Sequence, residues 1–110
     1  MIIYNVTVNV DNSIHDEWLE WMKSNHIPKV LSTGKFKKAV FSRVLVEDDG
    51  ESKTYSARYF SNSRVDLDSY YQNDAESLRN EALTKFADKL LAFRTELDVV
   101  DEYKVDITNS

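Results

Sequence analysis

The chain has 110 residues, a net charge of -5, 42% hydrophobic and 30% charged residues, and no cysteine. That length suffices for one independent core, read here as a single α+β domain over residues 1–110. The missing thiols exclude disulfides, thiolate nucleophiles and zinc–thiolate centres, and the acidic balance argues against nucleic acid and anionic membranes as partners.

No basic region leads into a long apolar run at the start, and no run approaches the length of a membrane span. The expectation is a soluble cytoplasmic protein. Ile2 to Val10 alternates: Ile2, Tyr4, Val6, Val8 and Val10 share one side, and Ile3, Asn5, Thr7 and Asn9 the other. That period predicts a strand with one apolar face. Asp11-Asn12-Ser13 marks a turn, and Ser13 with Asp16 resembles a capping box.

Ile14, Trp18, Trp21 and Met22 fall on one stripe of a helix expected over Ile14–Asn25. Ile27 precedes proline and is expected outside the helical region. Pro28 then opens a short turn through Leu31, and Gly34 suits a left-handed stop. A second strand is expected over Phe36–Glu47, with Asp49-Gly50 as a hairpin signal and a third strand over Ser52–Ser61. Leu67, Tyr70 and Tyr71 suggest a helical turn capped by Asp66, with Asp74 capping the next helix. The stripe Ala75, Leu78, Ala82, Phe86, Leu90 and Phe93 predicts a helix to about Phe93. Leu97 to Ile107 alternates again and is read as the last strand, with Thr108-Asn109-Ser110 frayed.

The order β-α-β-β-α-β is the ferredoxin-like pattern, a four-stranded antiparallel sheet with two helices on one face. The uncovered face would carry Ile3, Phe41, Leu45, Phe60 and Val100 among Asn5, Thr7, Arg43 and Arg58. An apolar patch of that kind predicts a homodimer through the sheet. The alternative is a wet open face, which antiparallel sheets tolerate.

Trp18-x-x-Trp21, His26-Ile27-Pro28, Gly34-x-Phe36, Leu78-Arg79, Phe86 and Phe93-Arg94-Thr95 together resemble a family of short bacterial proteins of unknown function. That family is similar to the dimeric α+β barrel superfamily, which includes antibiotic-biosynthesis monooxygenase-like and stress-responsive barrel proteins. The resemblance implies a dimer and a helix–sheet cleft for a small, often aromatic ligand. It also implies that a metal or organic cofactor is not required, and it supplies no catalytic set that matches this chain residue by residue.

His26 is the one candidate for acid–base chemistry, at a cleft expected to be lined by Tyr4, Trp21 and Phe86. Its other reading is a helix-end histidine bonded to a backbone carbonyl beside Pro28. His15 is expected in solvent. Trp18, Trp21, Tyr55, Tyr59 and Tyr71 could stack a ligand or simply fill the core. Arg58, Arg79 and Arg94 could clamp a carboxylate. For Arg79 and Arg94 the alternative is surface pairing with Glu76, Glu81 or Asp98. Asp48-Asp49 reads as a turn, and Asp66, Asp68 and Asp74 lack the rest of a calcium loop. No metal site is expected. Three functions remain: a module that binds a small molecule or partner, a cofactor-independent enzyme using His26, or a purely structural dimer.

Overall fold

The computed structural model describes residues 1–47 and 50–106. Strand β1 (Ile2–Asp11) lies inside the sheet, flanked by β3 (Ser52–Ser61) and β4 (Leu90–Asp98), with β2 (Lys38–Arg43) outside β3. All three pairings are antiparallel. Alternation decides the faces: Tyr4 stands opposite Tyr59 and Val8 opposite Tyr55, and all four are buried beneath the helices.

The first helical run has four parts: a 3-10 turn at Asn12–Ile14, α1 (His15–Trp21), a π turn at Met22–His26, and α2 (Ile27–Ser32). The cap is Asp11, which accepts from the Ser13 N–H at 2.8 Å, and not the expected Ser13–Asp16 box. Hydrogen bonding from Ser13, through its side chain first and its backbone N–H second, holds the Asp11 carboxyl below its usual range. Ile27 is helical, at φ -61° and ψ -45°, and its N–H reaches back five residues to the Met22 carbonyl. The run therefore does not break before Pro28. A proline ring clashes with the carbonyl four residues behind it; the wider turn shifts the bonding register at that point and relieves the clash. Gly34, at φ 79°, provides the left-handed stop.

Helices α3 (Arg64–Asn73) and α4 (Ala75–Phe86) join at Asp74. Ser63 caps α3 by accepting from the Asp66 N–H at 3.1 Å, so Asp66 is the donor and not the cap. Asp74 does not cap α4 with its side chain; its carboxylate pairs with Lys35 at 3.1 Å. Trp18, Met22 and Val30 from the first run join Leu67, Leu78 and Phe86 in one core with the inner residues of the sheet.

Three further expectations are overturned. The last helix ends at Phe86, and β4 runs over Leu90–Asp98 instead of Leu97–Ile107. The reversal occurs at Ala87, a non-glycine residue at φ 51°. Residues 99–106 carry no helix or strand, although the Val99 N–H bonds the Met1 carbonyl at 3.0 Å. Strand β2 is shorter than expected, ending at Arg43 and starting only at Lys38, because Phe36 first turns inward against Tyr59 and Tyr70. Finally, Phe41 and Arg43 stand opposite Ala57 and Tyr55 on the helix side and leave the open face. Phe41 packs on Trp18 and Tyr55. Leu45 and Val100 lie past the strand ends. The hairpin tip Asp48-Asp49, Ile107 and the frayed end expected over Thr108–Ser110 lie outside the described residues.

Candidate functional site

A cavity of about 290 Å³ lies between the helical layer and the sheet. Its floor is the inner face of β1 and β4, where Val6 stands opposite Arg94 and Val8 opposite Ala92. Its roof comes from the first helical run and from α4, through Trp21, Met22, His26 and Arg79. The volume is at the lower end of the range for small-molecule sites, and the mix of apolar walls with few polar groups is characteristic of them. A second, larger depression between α2 and α4 is a shallow polar groove open to solvent, edged by Lys29, Asn80 and Glu81.

The π turn explains how His26 reaches the cavity. Residues five apart in an α-helix diverge by about 140°. Five-residue bonding closes most of that angle, so Trp21 and His26 stack face to face, with ring centres 4.9 Å apart and planes 27° apart. The His26 Nδ1 is buried and has no hydrogen-bond partner. Burial lowers its pKa to about 4, opposed by nearby Glu81 and reinforced by Lys29 and Arg94. The ring is therefore neutral at pH 7.

Arg79 enters from α4. One terminal nitrogen donates to the Tyr4 hydroxyl at 3.3 Å, while its Nε is buried without a partner. That bond keeps the guanidinium above its usual pKa. Arg94 enters from the edge strand β4 and makes no hydrogen bond or ion pair among the described residues. Tyr70 closes the wall, with its hydroxyl pushed far up by burial. Glu96 sits beyond this wall, held at about 2 by hydrogen bonds from Arg64 at 2.7 and 3.0 Å and from Tyr71 at 2.5 Å.

Of the four residues expected at the cleft, Tyr4, Trp21 and His26 line the cavity. Phe86 does not; it stands behind Trp21 in an edge-on contact at 5.3 Å. His26 is not bonded to a backbone carbonyl, contrary to one of its two readings. His15 is not in solvent: its Nε2 lies 2.7 Å from the Tyr55 hydroxyl and its Nδ1 2.8 Å from Asp16. Glu81, one acid considered for Arg79 and Arg94, is paired with Lys29 at 3.0 Å. Arg58 is on the open face, away from the cavity. Asp68 pairs with Arg64 and Asp74 with Lys35. Among the described residues no cluster of His, Cys, Asp or Glu could hold a metal ion, and no helix is long and apolar enough to cross a membrane.

A family model described as a domain of unknown function, DUF4286, matches residues 1–100. The chain belongs to this family. None of the curated proteins matches the sequence. A solved dimeric ferredoxin-like protein from an uncultured marine organism is similar over 96% of this chain and 100% of its own, at 16% identity and TM-score 0.67. A protein from Deinococcus radiodurans, described as a candidate antibiotic biosynthesis monooxygenase, is similar over 96% of this chain and 99% of its own, at 8% identity and TM-score 0.61. A de novo designed protein with a ferredoxin fold covers 100% of this chain and 96% of its own, at 17% identity and TM-score 0.51. These likenesses establish the ferredoxin-like α+β fold of this DUF4286 chain. A designed protein shares that fold, so function must be argued from the side chains.

Proposed function

We propose that this DUF4286 chain is a homodimeric module that binds a small molecule in its helix–sheet cavity through Tyr4, Trp21 and His26. The observation that carries the reading is the pair of unpartnered buried nitrogens in that cavity, His26 Nδ1 and Arg79 Nε. A buried polar atom without a partner costs about 1–3 kcal/mol, and a bound polar group would recover it. A purely structural dimer gives no reason to retain such groups. Binding is favoured over acid–base catalysis because a ring at about 4 is a weak base at neutral pH.

The homodimer reading rests on the open face of the sheet. Leu91, Phe93 and Leu97 line its edge, with Phe93 60% exposed. They flank a polar centre in which Asn5 bonds Thr7, Thr95 and Ser56. A second copy of this face would bury the apolar rows. The relative described as a dimeric ferredoxin-like protein is consistent with this arrangement. We place the protein in the cytoplasm, since its charge and composition give it no evident reason to associate with a membrane.

The test is NMR titration of the Trp21 indole and His26 ring signals with small aromatic and branched aliphatic compounds. Saturable shifts at both rings are expected. Compounds that move only surface signals overturn the binding reading. Light scattering at micromolar concentration is expected to give twice the 12.8 kDa chain mass; a monomer overturns the dimer.

A further inference from the structure

We propose that the cavity ligand is a small carboxylate with an apolar body, its carboxylate held between Arg79 and Arg94. The inference rests on the binding reading above and narrows it to one chemical class. The cavity wall contains two guanidinium groups and no carboxylate. Neighbouring acids have partners elsewhere: Glu96 with Arg64 and Tyr71, Asp74 with Lys35, and Glu81 with Lys29 through one carboxylate oxygen, its Oε2 being buried without a hydrogen bond. Arg79 has only a neutral partner, the Tyr4 hydroxyl, and leaves its Nε unsatisfied.

Two arginines, one from a helix and one from a strand, line the same cavity with no carboxylate on its wall, and forgo the strong charge-assisted bonds that guanidinium makes to one. In an acidic protein carrying 19 Asp and Glu against 14 Lys and Arg, an acid-free pair of this kind stands out from the average surface. Both arginines line the cavity, and both lie near enough to Tyr70 to influence its titration. The remaining wall is apolar or aromatic, including Val6, Trp18, Leu78 and Ala92. An inorganic anion would leave that surface unfilled. A ring or branched chain of modest size would cover it, while a hydroxyl or carbonyl on the ligand could reach His26 Nδ1.

The experiment is titration calorimetry with benzoate, phenylacetate and 4-methylpentanoate, beside their primary amides and inorganic phosphate. At least one carboxylate is expected to bind ten-fold or more tightly than its amide. Arg94→Gln is expected to abolish that preference with an unchanged melting temperature, because Arg94 makes no internal pair to lose. Arg79→Gln is expected to do the same with some loss of stability. Amides that bind as tightly as the acids, or a preference that survives Arg94→Gln, overturn the carboxylate assignment while leaving the cavity as a binding site. Phosphate that binds as tightly as the best carboxylate and displaces it also overturns the assignment, since the site would then be an unspecific cation patch. Failure of every acid and amide to bind at millimolar concentration overturns both readings.

Discussion

The His26 imidazole lies flat against the Trp21 indole, ring centres 4.9 Å apart, with its Nδ1 enclosed and unpaired. This contact couples folding to protonation. The folded ring titrates at about 4, against 6.5 for the free side chain. Between those values the unfolded chain binds the extra proton, so stability falls as pH drops through that window and this contribution levels off below pH 4. The shift corresponds to roughly 3 kcal/mol at most. Replacing His26 with Phe keeps the stack and removes the proton. Urea unfolding between pH 7 and 4 is expected to show a flatter decline in His26→Phe than in the parent chain. Parallel declines would place the penalty on other groups. Glu96, lowered from 4.5 to about 2, loses its contribution progressively as pH falls from about 4.5 to about 2, so its loss overlaps only the acid end of the His26 window.

Ala87 ends α4 at φ 51° and ψ -127°, a conformation that strains any side chain bearing a Cβ. Ala87→Gly is expected to raise stability by about 0.5–1 kcal/mol, the relief of strain being partly offset by a freer unfolded chain. Chemical denaturation reads the difference directly. A loss of stability would show that the alanine methyl contributes more than the backbone strain costs.

Phe93 and Leu91 are 60% and 57% exposed on the outer side of β4. Phe93→Lys puts a charge opposite Thr7, in the apolar row that edges the proposed interface. The expected outcome is a monomer by light scattering, with far-ultraviolet circular dichroism unchanged. A dimer that survives this substitution would have to use another surface.

Ser63 accepts from the Asp66 N–H at the start of α3. Ser63→Ala should cost about 1 kcal/mol, while Asp66→Asn should cost little by comparison because Asp66 contributes only its backbone N–H to the cap. Thermal melts of the two variants distinguish them. Equal losses would contradict this assignment of the cap.

The sheet was readable wherever alternation was strict. Tyr4, Val6 and Val8 in β1, and Tyr55, Ala57 and Tyr59 in β3, declared their inner faces from spacing alone. The fourth strand was hidden because Phe86, Leu90 and Phe93 continue a helical spacing across the true boundary, where neither glycine nor proline stands. The signal for that strand was the overlapping two-residue period Leu91, Phe93, Thr95, Leu97. Misplacing it also left Arg94 between two readings, a carboxylate clamp and a surface ion pair, where the true strand turns it to the cavity. Arg79 was weighed as a surface ion pair; the acids considered for it do not pair with it, which residue counting could not reveal. Phe41 was assigned to the wrong face because the phase of β2 is set by where Phe36 leaves the core, a tertiary decision.

The widened turn at Met22–His26 has a consequence for length variation. It amounts to an α-helix carrying one surplus residue. Deleting any one of Lys23, Ser24 or Asn25 would let an ordinary helix form in which the histidine follows the tryptophan by four residues, still within about 40° of it. The imidazole would stay beside its indole, but Pro28 would meet the carbonyl it now avoids. The surplus residue thus makes room for the proline ring, and a histidine four residues after the tryptophan in a chain one residue shorter there would occupy nearly the same place in space.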